Sequence, residues 1–171
     1  MENKLTVLYE DNQVIVVVKP QNVPTQADSS GDVDLLTMVK QYVKEKYDKP
    51  GEAFIGLVHR LDRPTGGVMV FARNSKSAAR LQEQMKNGLF EKKYLAVTVG
   101  VPRDRQGRLS QYLFKDAETN TVKVVPAAVE GAKKAELEYK VLEIADKVAL
   151  VDIKLITGRS HQARVQMQSM G

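Results

Sequence analysis

Five consecutive residues, Val14-Ile15-Val16-Val17-Val18, are all β-branched, and Lys19-Pro20 follows them. Side chains branched at Cβ are stiff in a helix and pack well on a pleated sheet. Proline cannot donate to a strand ladder. The run is therefore a strand that stops at Pro20, and its unbroken apolar character suits a buried position. It is as long as any apolar stretch of the chain, and far short of the roughly 20 residues that cross a bilayer. Nothing in the opening Met1-Glu2-Asn3-Lys4 resembles a secretory leader.

Punctuation along the remaining chain assigns the other elements. Residues 5–9 and 13–19 read as strands joined at Asp11-Asn12, and 21–34 as a loop. Leu35, Leu36, Val39, Val43 and Tyr47 recur at helical spacing, with Asp32 or Asp34 as cap. Asp48-Lys49-Pro50-Gly51 stops that helix. Residues 54–58 and 67–72 read as strands on either side of a charged segment. A second helix opens at Asn74 or Ser75, buries Ala78, Leu81 and Met85, and closes at Gly88. Strands follow over 92–100, 109–114, 121–125, 135–143 and 148–156, with a polar loop at 103–107. A helix over 159–170 ends the chain. Many strands with few helices predict an α+β domain built on a mixed, mainly antiparallel sheet with flanking helices.

At 171 residues the chain fits one domain with its own core. It has no cysteine, which excludes disulfides, thiolate metal sites and cysteine nucleophiles. The two histidines, His59 and His161, make a poor transition-metal site without added carboxylates. The net charge of +5 suggests a polyanionic partner without naming it. Thr65-Gly66-Gly67 lacks the glycine spacing and Lys-Ser/Thr pair of a phosphate loop. Ser160 beside His161 is not a triad, because sequence neighbours seldom have the needed geometry.

Three segments can carry chemistry. In His59-Arg60-Leu61-Asp62-Arg63-Pro64-Thr65-Gly66-Gly67 a strand runs into a charged loop, where functional groups are usually placed. Arg60 and Arg63 beside Asp62 favour an ionised carboxylate, which can serve as nucleophile or base. By these residues alone, a structural turn is the favoured reading. In Thr157-Gly158-Arg159-Ser160-His161-Gln162-Ala163-Arg164 a strand enters a glycine turn and a helix, with His161 and Arg164 on one face. An anion site and an ordinary basic turn fit it equally. In Glu91-Lys92-Lys93-Tyr94-Leu95-Ala96, Tyr94 can stack on a base or simply pack within a sheet.

Together, Lys19-Pro20, HRLDRPTGG, KKYLA and TGRSHQAR stand in the order found in the RluA-type pseudouridine synthases, and the chain resembles that family over nearly its whole length. The resemblance implies an enzyme that isomerises uridine to pseudouridine in rRNA or tRNA. It places the nucleophilic aspartate on Asp62, the active-site tyrosine on Tyr94 and the basic partner of the aspartate on Arg164. It places Arg60 where the family holds the target nucleotide's place in the RNA. RNA contacts are expected from Arg60, His59, Arg63, Thr65, Arg159 and His161. No metal or organic cofactor, no membrane, a monomer and a cytoplasmic setting are expected. The chain departs from the pattern at Gly66, where the family has serine, and at Ala163, where it has a larger aliphatic residue. Relatives continue past position 171 with a further segment, so the expectation is one catalytic domain over 1–171, shortened at its C-terminus and without an N-terminal RNA-binding domain. A non-catalytic RNA-binding or RNA-folding protein of the same fold is the alternative.

Overall fold

The computed structural model describes residues 5–48 and 50–171. The expectation that the N-terminus is no secretory leader rests on residues 1–4. It lies outside the described residues, as does Lys49 in the predicted helix stop. The chain forms two compact units, Met1–Leu89 and Phe90–Gly171.

Unit 1 holds β1 (Thr6–Glu10), β2 (Val14–Lys19), α1 (Leu35–Lys46), β3 (Gly56–Leu57), β4 (Gly67–Ala72) and α2 (Ser75–Lys86). Its sheet has the order β1-β2-β4-β3, and each pairing is antiparallel. The β-branched run is β2, and burial along it alternates strictly. Ile15, Val17 and Lys19 share the fully buried face, while Val14, Val16 and Val18 are half-buried. Leu35, Val39 and Val43 of α1 join Ile15, Val17, Met69 and Phe71 in the core of this unit. Of the two candidate caps, Asp34 caps α1, accepting from the Thr37 N–H at 3.1 Å. Asn74 caps α2 through the Ser77 N–H at 2.8 Å. Gly88, at φ +71°, ends α2 with the Leu89 N–H returning to Gln84 O at 2.9 Å. That left-handed position is one where glycine carries no Cβ penalty.

Unit 2 holds β5 (Lys92–Val99), β6 (Gln106–Lys115), β7 (Val122–Val125), β8 (Lys133–Ala145), β9 (Val148–Leu155) and α3 (Gln162–Gln168). The sheet order is β5-β9-β8-β6-β7, again antiparallel throughout. Leu137, Val141, Val151 and Ile153 form its core, against which Tyr94, Ala163 and Met167 pack. The α+β class holds, with two antiparallel sheets in place of one mainly antiparallel sheet. β6 and β8 run longer than their apolar patterns. Charged residues at their ends still pair through the backbone, as in Gln106 with Lys140 and Leu113 with Lys133.

Candidate active site

The charged loop of unit 1 is fastened at four points. Thr25, itself buried, donates its hydroxyl to Leu61 O at 2.7 Å and accepts from the Leu61 N–H at 3.3 Å. Lys19 donates from Nζ to Arg63 O and to Pro20 O, each at 3.0 Å. The Thr65 N–H closes a turn onto Asp62 O at 2.9 Å, across Arg63-Pro64. His59 Nε2 accepts from the Val70 N–H at 3.1 Å. That last bond takes the place of a ladder bond next to β3, which spans only two residues instead of the five expected. Asp62 thus sits between two backbone groups gripped by side chains from other elements.

Lys19 is the least expected member. Its full burial follows from strand alternation, which puts it in line with Ile15 and Val17. A buried ammonium is costly without partners, and the two carbonyls supply them. Burial pushes its pKa below the usual lysine range, the nearby Asp62 carboxylate pulls it back up, and the Arg63 charge lowers it further. Asp62 therefore lies within the field of this cation.

Arg63 faces the 28–32 loop. Its guanidinium donates to Ser30 Oγ at 2.8 Å, pairs with Asp28 at 3.6 Å and pairs with Asp32. Asp32, one of the two candidate caps, is spent on this arginine. Arg60 is exposed, and Asp62 and Thr65 are half-buried. Gly67 has φ +146°, which excludes most side chains, whereas a Cβ on Gly66 would meet the flexible Gln21 side chain at 3.1 Å. Serine at 66 and glycine at 67 would therefore both fit this backbone, and the departure at Gly66 leaves the turn intact.

The second set of residues belongs to unit 2. Tyr94 is half-buried on the core-facing side of β5. Thr157 accepts from the Glu136 N–H at 2.8 Å and donates to Gln162 Oε1 at 2.8 Å. Gln162 Oε1 also accepts from the Arg159 N–H at 3.0 Å, while its Nε2 donates to Glu136 O at 2.9 Å. This cross-bracing uses residues 157–161 as a turn, so α3 starts at Gln162 and not at 159. His161 takes a left-handed φ of +51° at its start. Arg159 donates from Nε to Lys134 O at 3.0 Å, and Arg164 is exposed on α3.

The predicted residues therefore fall into two sets. His59, Arg60, Asp62, Arg63 and Thr65 share one loop of unit 1, and Tyr94, Arg159, His161 and Arg164 stand in unit 2. Lys19, Thr25, Thr157 and Gln162 were not singled out as site residues from the sequence. Only Lys19 left a readable signal, a charge in register with the buried face of an apolar strand. Among the described residues, no group of three or more His, Asp or Glu is placed to hold a metal ion. No helix among them is long and apolar enough to cross a membrane.

Comparison with known proteins adds the decisive observation. A family model described as RNA pseudouridylate synthase matches residues 13–169. The chain belongs to the RNA pseudouridylate synthase family. A ribosomal large subunit pseudouridine synthase C of Rickettsia bellii is 32% identical over 165 residues, covering 96% of this chain and 52% of the relative. An uncharacterized RNA pseudouridine synthase of Bacillus subtilis is 30% identical over 171 residues, covering 98% of this chain and 55% of the relative. The solved structure of human RNA pseudouridylate synthase domain containing 4 superposes with a TM-score of 0.81 at 28% identity, covering 96% of this chain and 64% of that one. The chain spans about half the length of the curated relatives it matches.

Proposed function

We propose that this chain converts uridine to pseudouridine in rRNA or tRNA, with Asp62 as the attacking carboxylate. One observation carries the reading: in a pseudouridylate synthase sequence, Asp62 stands on a loop whose backbone is held on one side by Thr25 and on the other by Lys19. Such a loop keeps a reacting group in place without relying on the loop's own stiffness.

The reaction breaks the N1–C1′ bond, turns the uracil and joins C5 to C1′. The C5 hydrogen leaves as a proton and N1 ends protonated, so the product is an isomer and no oxidant or reductant is consumed. Asp62 either attacks C1′ or starts an elimination from the ribose. The family resemblance assigns to Arg164 the role of the aspartate's basic partner, and to Tyr94 packing against the base and help in moving a proton. The target must leave its stack, at a cost of about a few kcal/mol. Arg60 fills the vacated place, with phosphate contacts from His59, Arg63, Thr65, Arg159 and His161. The name of the Rickettsia relative makes large-subunit rRNA the first substrate to test. On this reading the protein acts as a monomer in the cytoplasm.

The test is tritium release from rRNA and tRNA labelled at uridine C5. The wild-type chain releases tritium, and Asp62→Asn lowers the rate by at least about a thousandfold, as expected for loss of an activated nucleophile. Unchanged release by Asp62→Asn would sink the assignment. A second reading is a non-catalytic RNA-binding or RNA-folding protein of the same fold. It predicts salt-sensitive RNA binding with no release.

A further inference from the structure

Unit 2 carries a cavity of about 400 Å³ that shares Arg159 with the residues above and extends from the 157–161 turn onto β6, β7 and β8. Leu113 of β6 and Val122 of β7 give it an apolar floor. Lys115, Lys133, Arg159 and Ser160 supply its polar walls, and no carboxylate is among its lining residues. The register explains the convergence. Lys115 pairs with Val122 and Lys133 pairs with Leu113, so both lysines project from the sheet face that carries Leu113. The braced 157–161 turn crosses β8 at Glu136 and brings Arg159 and Ser160 to the same corner. The Arg159 guanidinium is aimed there by its bond to Lys134 O.

The cations of this corner lack the ion pairs that engage several other cations of the chain. Among the described residues, Lys46, Arg63, Lys93, Arg108, Lys134 and Lys154 all lie within 4 Å of a carboxylate. None of Lys115, Lys133 and Arg159 does. The nearest acidic neighbour in sequence, Asp116, is engaged in capping its hairpin turn through the Glu118 and Thr119 N–H groups, at 2.9 and 3.1 Å. A fourth cation stands at the rim, since Lys92 Nζ lies 3.1 Å from where a Cβ on Gly158 would be. Grouping like charges without a counter-charge is unfavourable, and an anion in the cavity reverses the sign. The volume lies within the roughly 300–1,000 Å³ of ordinary ligand sites.

We infer that this cavity binds a backbone phosphate of the RNA, outside the nucleotide that reacts. The inference rests on the RNA reading above. Continuity favours an RNA strand over a free anion: Lys92 at the rim and Tyr94 are two apart on β5 and so share a face. A strand held by its phosphates here can lead to the base that Tyr94 packs against. Neither Lys115 nor Lys133 belongs to the motifs that define the family resemblance.

The test uses the full chain and a fluorescent 30-nucleotide RNA hairpin. Lys115→Gln with Lys133→Gln raises Kd about tenfold at 0.1 M KCl and reduces the slope of log Kd against log salt by about 1, the signature of a lost phosphate contact. The double Arg variant keeps wild-type affinity, and the thermal midpoint of the Gln pair is unchanged. Unaltered affinity and slope in a folded Gln pair overturn the proposal. So does tight inorganic phosphate binding by the wild type, seen by ³¹P titration, with RNA affinity unaffected in the Gln pair; the cavity is then a free-phosphate site. Failure of the enzyme reading shows separately, as tritium release that is absent or does not depend on Asp62.

Discussion

Lys19 shows how one residue can link a core to the loop that carries Asp62. It is buried with the apolar side chains of β2, and its ammonium satisfies Pro20 O and Arg63 O on either side of that core. Lys19→Met keeps the length and apolar stem but leaves both carbonyls without this donor. Each unsatisfied buried acceptor costs roughly 1–3 kcal/mol, partly offset by removing a desolvated charge. The expected outcome is a net loss of roughly 1–3 kcal/mol in urea unfolding, with a fall in kcat larger than any change in KM. A variant that is stable and fully active would show that the loop holds itself. Gly67 is a second single-residue constraint. At φ +146° an alanine is strained by about 1–3 kcal/mol, so Gly67→Ala lowers the unfolding midpoint, whereas Gly66→Ser is tolerated. Equal midpoints for the two variants would refute the backbone argument.

At the scale of elements, the 28–32 loop is bound to the Asp62 loop by charge. The pKa of Asp28 is lowered mainly by its hydrogen bonds with Ser30, and that of Asp32 mainly by its hydrogen bond from Arg63. A carboxyl with a depressed folded pKa adds stability above its unfolded pKa, near 4, and loses it as pH falls through the lower folded value. Arg63→Gln therefore lowers the melting temperature at pH 7 and has a smaller effect at pH 3. An equal loss at both pH values would show that Arg63 acts through packing alone. Element boundaries were legible where periodicity and caps are local, as in α1 and α2. They were misread where a side chain replaced a backbone partner. The His59 ring takes the Val70 N–H, so β3 is short, and Gln162 holds the Arg159 N–H, so α3 starts late.

For the whole molecule, the charge of +5 and the cationic corner of unit 2 predict RNA affinity that falls as KCl rises from 50 to 200 mM, with a linear log–log dependence. Filter binding of labelled rRNA checks this, and a flat response would remove the electrostatic basis of the RNA reading. By itself the sequence determined the α+β class, the strand order in the chain, the family and the segments that hold the candidate residues. Those depend on period, punctuation and motif, which are readable along a chain. Only the tertiary structure decided what fastens Asp62's loop: Thr25 reaches Leu61 across 36 positions and Lys19 reaches Arg63 across 44. It also decided that the cations of β6, β8 and the 157–161 turn converge on one cavity. Such contacts come from register and packing between distant strands, and no local pattern encodes which polar group will meet which.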